Sequence, residues 1–285
     1  MERKKIAIVG TGLIGGSLAI RLHEMKLSSR LIGVESDPLH SQQALDMELV
    51  DEILPLEQAV EQSEVVILAV PVNALVDLLP QVLDRVTDQI VVDLGSTKSA
   101  LVDSVKGHPH RGRYVPSHPM WGTEFSGPTA AIKNAFDGKA VILCDSDHSD
   151  EEALAWVRYM YRKIGMRILE MTSVDHDLHA AYVSHISHIT SFALANTVLE
   201  KEKEEQAIFE LASAGFESTV RLAKSNPATW VPILMQNRNL VLDVLNEHIT
   251  QLNLFKTALS DLDTDALHQL MHQANSIRRM LERGQ

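Results

Sequence analysis

A short apolar run that leads into a spaced triplet of glycines and then a helix leaves few folds open. Lys4-Lys5-Ile6-Ala7-Ile8-Val9 reads as a buried parallel strand, followed at once by Gly10-Thr11-Gly12-Leu13-Ile14-Gly15-Gly16. Helical apolar spacing takes over from Ser17 to Met25. Gly10 permits a tight turn, Gly12 lets backbone approach a pyrophosphate, and Gly15 allows close helix–strand packing. The helix start would add unpaired N–H groups and partial positive charge for that anion, so Gly10, Gly12, Leu13, Ile14 and Gly15 are the expected cofactor-binding residues.

Arg30-Leu31-Ile32-Gly33-Val34 reads as the next strand and ends at Glu35. A carboxylate there can bind the adenosine ribose hydroxyl and repels a 2′-phosphate, which favours NAD over NADP. Further strands are expected at Val65–Val70, Gln89–Asp93, Lys139–Cys144 and Met166–Glu170, with helices at about 38–47, 72–84, 97–106 and 150–163. Such alternation predicts a parallel sheet wound on both faces, the Rossmann-type doubly wound α/β plan, over residues 1–171. From Thr172 the strand signal stops. A long helix over Val174–Leu199, capped by Thr172 or Ser173, and helices at about 206–213, 216–224, 227–250 and 262–283 predict an all-helical domain over 172–285.

The charge balance sets limits on partners. Against 26 basic residues stand 38 acidic ones, a formal net charge of −12. Such a surface repels a phosphate backbone, so no nucleic-acid partner is expected. A local arginine can still hold a small anion. The single cysteine, Cys144, lies in an apolar run and reads as a buried thiol in a reducing compartment. With no secretory signal and no membrane-length apolar run, the expected location is the cytoplasm, with no membrane association.

Ligands of such sheets bind beyond the carboxyl ends of the strands. Ser96, in Asp93-Leu94-Gly95-Ser96-Thr97-Lys98, follows one strand. Ser117-His118-Pro119-Met120-Trp121-Gly122-Thr123-Glu124 is read as a loop on the same side. Pro119 holds His118 extended, and a histidine there can exchange a proton near neutral pH. On the long helix His176, His179, His185 and His188 share faces in pairs, but without a His-Glu-x-x-His pattern or a clear third ligand no metal is expected. Arg221, one to two turns beyond Gly215, can grip a carboxylate with two prongs.

These motifs together resemble the prephenate/arogenate dehydrogenase family of tyrosine biosynthesis. The resemblance rests on Gly10 to Ser17, Asp93 to Lys98, and Ser117 to Met120 with Gly122 to Glu124. It continues through Ser184-His185-Ile186-Ser187-His188, Gly215-Phe216 to Ala223, and Pro227 to Trp230. It implies NAD-dependent oxidative decarboxylation of prephenate to 4-hydroxyphenylpyruvate, or of arogenate to tyrosine, and a homodimer formed through the helical domain. It implies that His118 and Ser96 are catalytic, His118 taking the ring-hydroxyl proton. Arg221 and His188 would hold a small dicarboxylate substrate, with Thr123, Glu124 and Trp230 shaping or gating the site. Trp121 and Ser218 depart from the residues common in the family, which bears on substrate preference. Two other readings share parts of the pattern. A β-hydroxyacid-type dehydrogenase would place a lysine where this long helix has histidines. A non-catalytic dinucleotide sensor has no reason to keep Ser96, His118 and Arg221 together.

Overall fold

The structure is a computed structural model and describes residues 2–203 and 208–283. Eight strands form one sheet in the order β3-β2-β1-β4-β5-β6-β7-β8. They are β1 Lys4–Val9, β2 Ser28–Val34, β3 Glu52–Ile53, β4 Val65–Leu68, β5 Ile90–Asp93, β6 Tyr114–Pro119, β7 Ala140–Cys144 and β8 Arg167–Met171. Six of them, β3-β2-β1-β4-β5-β6, run parallel, and the order reverses beside β1, where the glycine turn sits. The central strands read as unbroken apolar runs because both sheet faces are covered by packed helices.

Three features depart from the expected pattern. The short β3 and the helix α3 Leu56–Gln62 carry too few residues for a periodic signal, and neither is expected from the sequence. The sheet is not wholly parallel, since β6 pairs with β7 antiparallel. His118 lies not in a loop but within β6, opposite Ile142 of β7. The extended geometry that Pro119 imposes is strand geometry.

Strand β6 leaves its partner β5 after Pro116 and pairs with β7 from Ser117 to Pro119. Asp93 pins the crossing. It accepts hydrogen bonds from the Tyr114 hydroxyl (2.7 Å), the Ser117 amide (3.2 Å) and the Gly95 amide (2.8 Å), and it pairs with the buried Lys98 ammonium. Both charges are fully buried, so each depends on the other and on these donors.

After β8 the chain is helical: α7 Ser173–Ala180, a π-helical turn at Ala181–His185, α8 Ile186–Glu202, α9 Ala214–Val220, a 3₁₀ stretch at Arg221–Lys224, α10 Pro227–Gln236, α11 Arg238–Ser260, α12 Thr264–Ala274 and α13 Ile277–Arg283. Thr172 caps α7 by accepting the Asp175 amide at 3.0 Å. The expected long helix runs without a gap from Ser173 to Glu202 and contains the π turn, whereas the expected 227–250 helix breaks at Asn237. Of the helix expected at 206–213, residues 206–207 lie outside the described residues, and Phe209–Leu211 forms one 3₁₀ turn.

The end of the sheet at Met171 is not a gap in packing. The compact units are Met1–Arg238 and Asn239–Gln285, a later division than the expected boundary between 171 and 172. Within the first unit, Asp177 accepts the amides of Lys98 and Ser99, both at 2.8 Å. Gln236 likewise donates to the Val72 carbonyl at 2.8 Å and accepts from the Thr97 hydroxyl at 2.6 Å.

Candidate active site

The glycine turn has the shape of a phosphate cradle. Gly10 has φ +92°, and a Cβ there would lie 2.7 Å from the Ala69 carbonyl oxygen. Gly12 precedes α1 (Leu13–Glu24) and carries no side-chain cap, so the first amides of that helix lack side-chain acceptors at the cap. A Cβ on Gly12 would meet only the Gly127 backbone nitrogen, at 3.9 Å, so the position is crowded by nothing else. Leu13 and Gly15 are buried, and Ile14 packs partly against the core. Glu35, just beyond β2, turns one carboxylate oxygen to the amide and hydroxyl of Thr11, each at 3.2 Å. Its other oxygen accepts the Ser36 and Asp37 amides. The acidic group is thereby fixed beside the turn, and these residues fit a dinucleotide.

Ser96 sits half-buried on the loop after β5, and His118 lies near the end of the neighbouring β6. Both occupy the carboxyl side of the sheet, yet no hydrogen bond joins them among the described residues. His118 instead places Nδ1 2.8 Å from Nε2 of His176 on α7. Burial, aided by His176, Lys98 and His185, holds the His118 imidazole well below the usual histidine range, so it is neutral at pH 7.

Around this pair lie the other histidines. His185 closes the π turn, accepts from the Asn237 amide at 3.2 Å and is depressed to about 4, chiefly by burial. His188 hydrogen-bonds the Ser184 carbonyl at 3.0 Å and stacks on Trp230, ring centroids 3.3 Å apart. Burial also lowers the His188 value, and the charge of Arg221 adds to the effect. The π turn at Ala181–His185 shifts the helical register of His188 relative to His176 and His179.

Arg221 is exposed and lines an open cleft of about 330 Å³ with Glu124, Ala214, Glu217, Ser218 and Lys224. Two of these, Glu124 and Arg221, were expected in a substrate site from the sequence. Thr123, half-buried, accepts the Phe125 amide through its hydroxyl at 3.3 Å and so braces the turn before Glu124. Five residues escaped the sequence reading as members of this site: Asp93, Lys98, His176, Asp177 and Asn237. Asp177 stands in the second turn of α7, and nothing local distinguishes a helix carboxylate that holds another element's amides.

Residues 18–170 match the family model described as prephenate dehydrogenase, nucleotide-binding domain, and residues 172–273 match that described as prephenate dehydrogenase, dimerization domain. The chain belongs to the prephenate dehydrogenase family. Among its relatives, the cyclohexadienyl dehydrogenase of Zymomonas mobilis is 30% identical over 98% of this chain and 96% of that protein. The prephenate dehydrogenase of Bacillus subtilis is 27% identical over 96% of this chain and 75% of that protein. In three dimensions, the Aquifex aeolicus prephenate dehydrogenase solved with hydroxyphenyl propionate and NAD+ superposes with a TM-score of 0.88, at 27% identity and 98% coverage of both chains. The Synechocystis arogenate dehydrogenase superposes at 0.77, with 28% identity, over 97% of this chain and 99% of that one. Membership in the prephenate dehydrogenase family accounts for the Rossmann-type sheet and the helical half together. No described helix is long and apolar enough to cross a membrane.

Proposed function

We propose that this chain is an NAD-dependent prephenate dehydrogenase that converts prephenate to 4-hydroxyphenylpyruvate and carbon dioxide. The observation that carries the reading is His118 itself, held neutral on the cofactor side of the sheet with Nδ1 engaged by His176. A neutral imidazole with one nitrogen engaged has the other available to accept a proton. Gly10, Gly12, Leu13, Ile14, Gly15 and Glu35 would hold NAD, which supplies the hydride acceptor. His118 takes the proton of the ring hydroxyl as that carbon becomes a ketone, and Ser96 hydrogen-bonds the same oxygen. Loss of carbon dioxide makes the ring aromatic and drives the step downhill. Arg221 pairs with a substrate carboxylate, His188 lines the pocket under Trp230, and Thr123 and Glu124 shape its mouth. The chain's own task is to align the reacting groups and remove one proton, the latter typically worth about 10²–10⁴-fold.

The helical half would form a homodimer. Ile249, Leu252 and Leu259, three and seven residues apart along one face of α11, lie exposed, an apolar stripe that suits a second copy. Light scattering should give twice the monomer mass; a monomeric mass at working concentration would count against it.

Arogenate, the substrate class named for the Synechocystis relative, carries an ammonium where prephenate has a ketone. NADH formation from each substrate, repeated with NADP, decides between them and tests the cofactor assignment. Activity with prephenate and NAD is expected, and His118→Asn should abolish it while NAD affinity stays nearly unchanged. Full turnover in that variant would remove His118 as the base.

A further inference from the structure

We propose that Asp177 and His176 are positioning residues that hold His118 with its proton on Nδ1 and its lone pair on Nε2. The proposal rests on the reading of His118 as the base and supplies what orients it. Asp177 Oδ1 lies 2.8 Å from His176 Nδ1, and His176 Nε2 lies 2.8 Å from His118 Nδ1. A carboxylate only accepts hydrogen bonds, so His176 Nδ1 carries the proton of that pair. We assign that single proton to His176, whose Nε2 is then an acceptor. The 2.8 Å contact next to it requires a proton on His118 Nδ1. Nε2 of His118 keeps its lone pair, and among the described residues nothing else bonds to it.

The carboxylate at the head of this chain is itself immobilised. Burial opposes its charge, but bonds from His176 and from the Ser99 and Lys98 amides outweigh burial and hold Asp177 below the usual carboxylate range. Those amides open α5 (Ser99–Ser104), and Asn237 donates to the Asp177 backbone carbonyl at 2.7 Å. Asp177 and His176 therefore join the loop that carries Ser96, the strand that carries His118 and the first helix after the sheet. The charged and titratable groups acting on His118 are His176 from α7, Lys98 from the loop after β5, and His185 from the π turn, with Asp177 reaching it only through His176. Of these only His176 touches the ring nitrogen. The arrangement is the Asp–His logic of a catalytic triad, with a second histidine in the place of the nucleophile.

The test is ¹⁵N NMR of the full-length protein labelled at histidine, with the His118 signals identified by their loss in His118→Asn. At pH 8 the expected His118 signature is a protonated Nδ1 and an unprotonated Nε2. A proton on Nε2 instead overturns the proposal, and this readout needs no variant at His176 that might fail to fold. Kinetics give the second arm. His176→Leu should lower kcat by about 10²-fold with KM changed by less than about threefold, as expected when a base loses its tautomer control. His176→Gln, whose side-chain carbonyl can accept the Nδ1 proton, should recover at least about tenfold of that loss. Unchanged kcat in His176→Leu, or no recovery in His176→Gln, refutes the role. The two readings fail separately: an active His118→Asn removes the base, whereas an inactive His118→Asn beside a fully active His176→Leu removes only the positioning pair.

Discussion

The His188 imidazole lies on the indole of Trp230 at a centroid distance of 3.3 Å and an interplanar angle of 24°. The stack joins α8 to α10 and shields a ring whose proton affinity is already lowered by burial. Trp230→Ala should therefore raise the His188 pKa toward 6.5, measured by NMR titration. An aromatic pair is worth about 1 kcal/mol, so substrate KM should also rise roughly fivefold. An unmoved His188 titration would show that the indole does not shield it.

Arg221 lines the same cleft as Glu124 and is exposed. A guanidinium–carboxylate bond contributes about 1.5–3 kcal/mol, so Arg221→Ala should raise substrate KM by about 10–100-fold with NAD affinity untouched. Steady-state kinetics with prephenate as the varied substrate measures this, and an unchanged KM would take Arg221 out of the substrate site.

Lys98 and Asp93 form a pair with neither side chain exposed. Lys98→Met leaves the Asp93 charge buried without its cation, and removing one partner of such a pair costs about 3–5 kcal/mol. Urea unfolding should show a loss of that size. A loss below about 1 kcal/mol would mean the donors from Tyr114, Ser117 and Gly95 suffice alone.

His185 is depressed from 6.5 to about 4 in the folded chain, mainly by burial, with Asp177 opposing the shift. Between those two values the unfolded chain binds more protons than the folded one, so stability rises with pH across the window and is lost as pH falls from about 6.5 toward 4. The loss from this residue is on the order of 3 kcal/mol. Urea midpoints measured across the window should follow that slope, and His185→Gln should flatten it. An equally steep slope in the variant would assign the effect to other groups.

Much of the cofactor half was legible without coordinates. The strand, the glycine spacing and Glu35 act through local backbone geometry and one sequential crossover, so a linear reading captures them. His118 was legible as a residue but not as part of a strand. Ser117 to Pro119 is extended because it pairs with β7, more than twenty residues further along, and a run containing two prolines and a histidine carries no strand periodicity. The π turn within the long helix was hidden for a related reason, since it adds a residue without changing the apolar character of the sequence around it.

By itself the sequence determined the doubly wound sheet, the site of the glycine cradle and the residue types available for proton transfer and carboxylate binding, because these depend on periodicity and on the chemistry of single side chains. Only the tertiary structure decided that Asp177 reaches back to the amides of Lys98 and Ser99, and that His176 rather than Ser96 is the hydrogen-bond partner of His118. Those contacts join positions about 60 to 80 residues apart. They exist because α7 packs against the carboxyl edge of the sheet, and no local pattern encodes which buried donor will meet which acceptor.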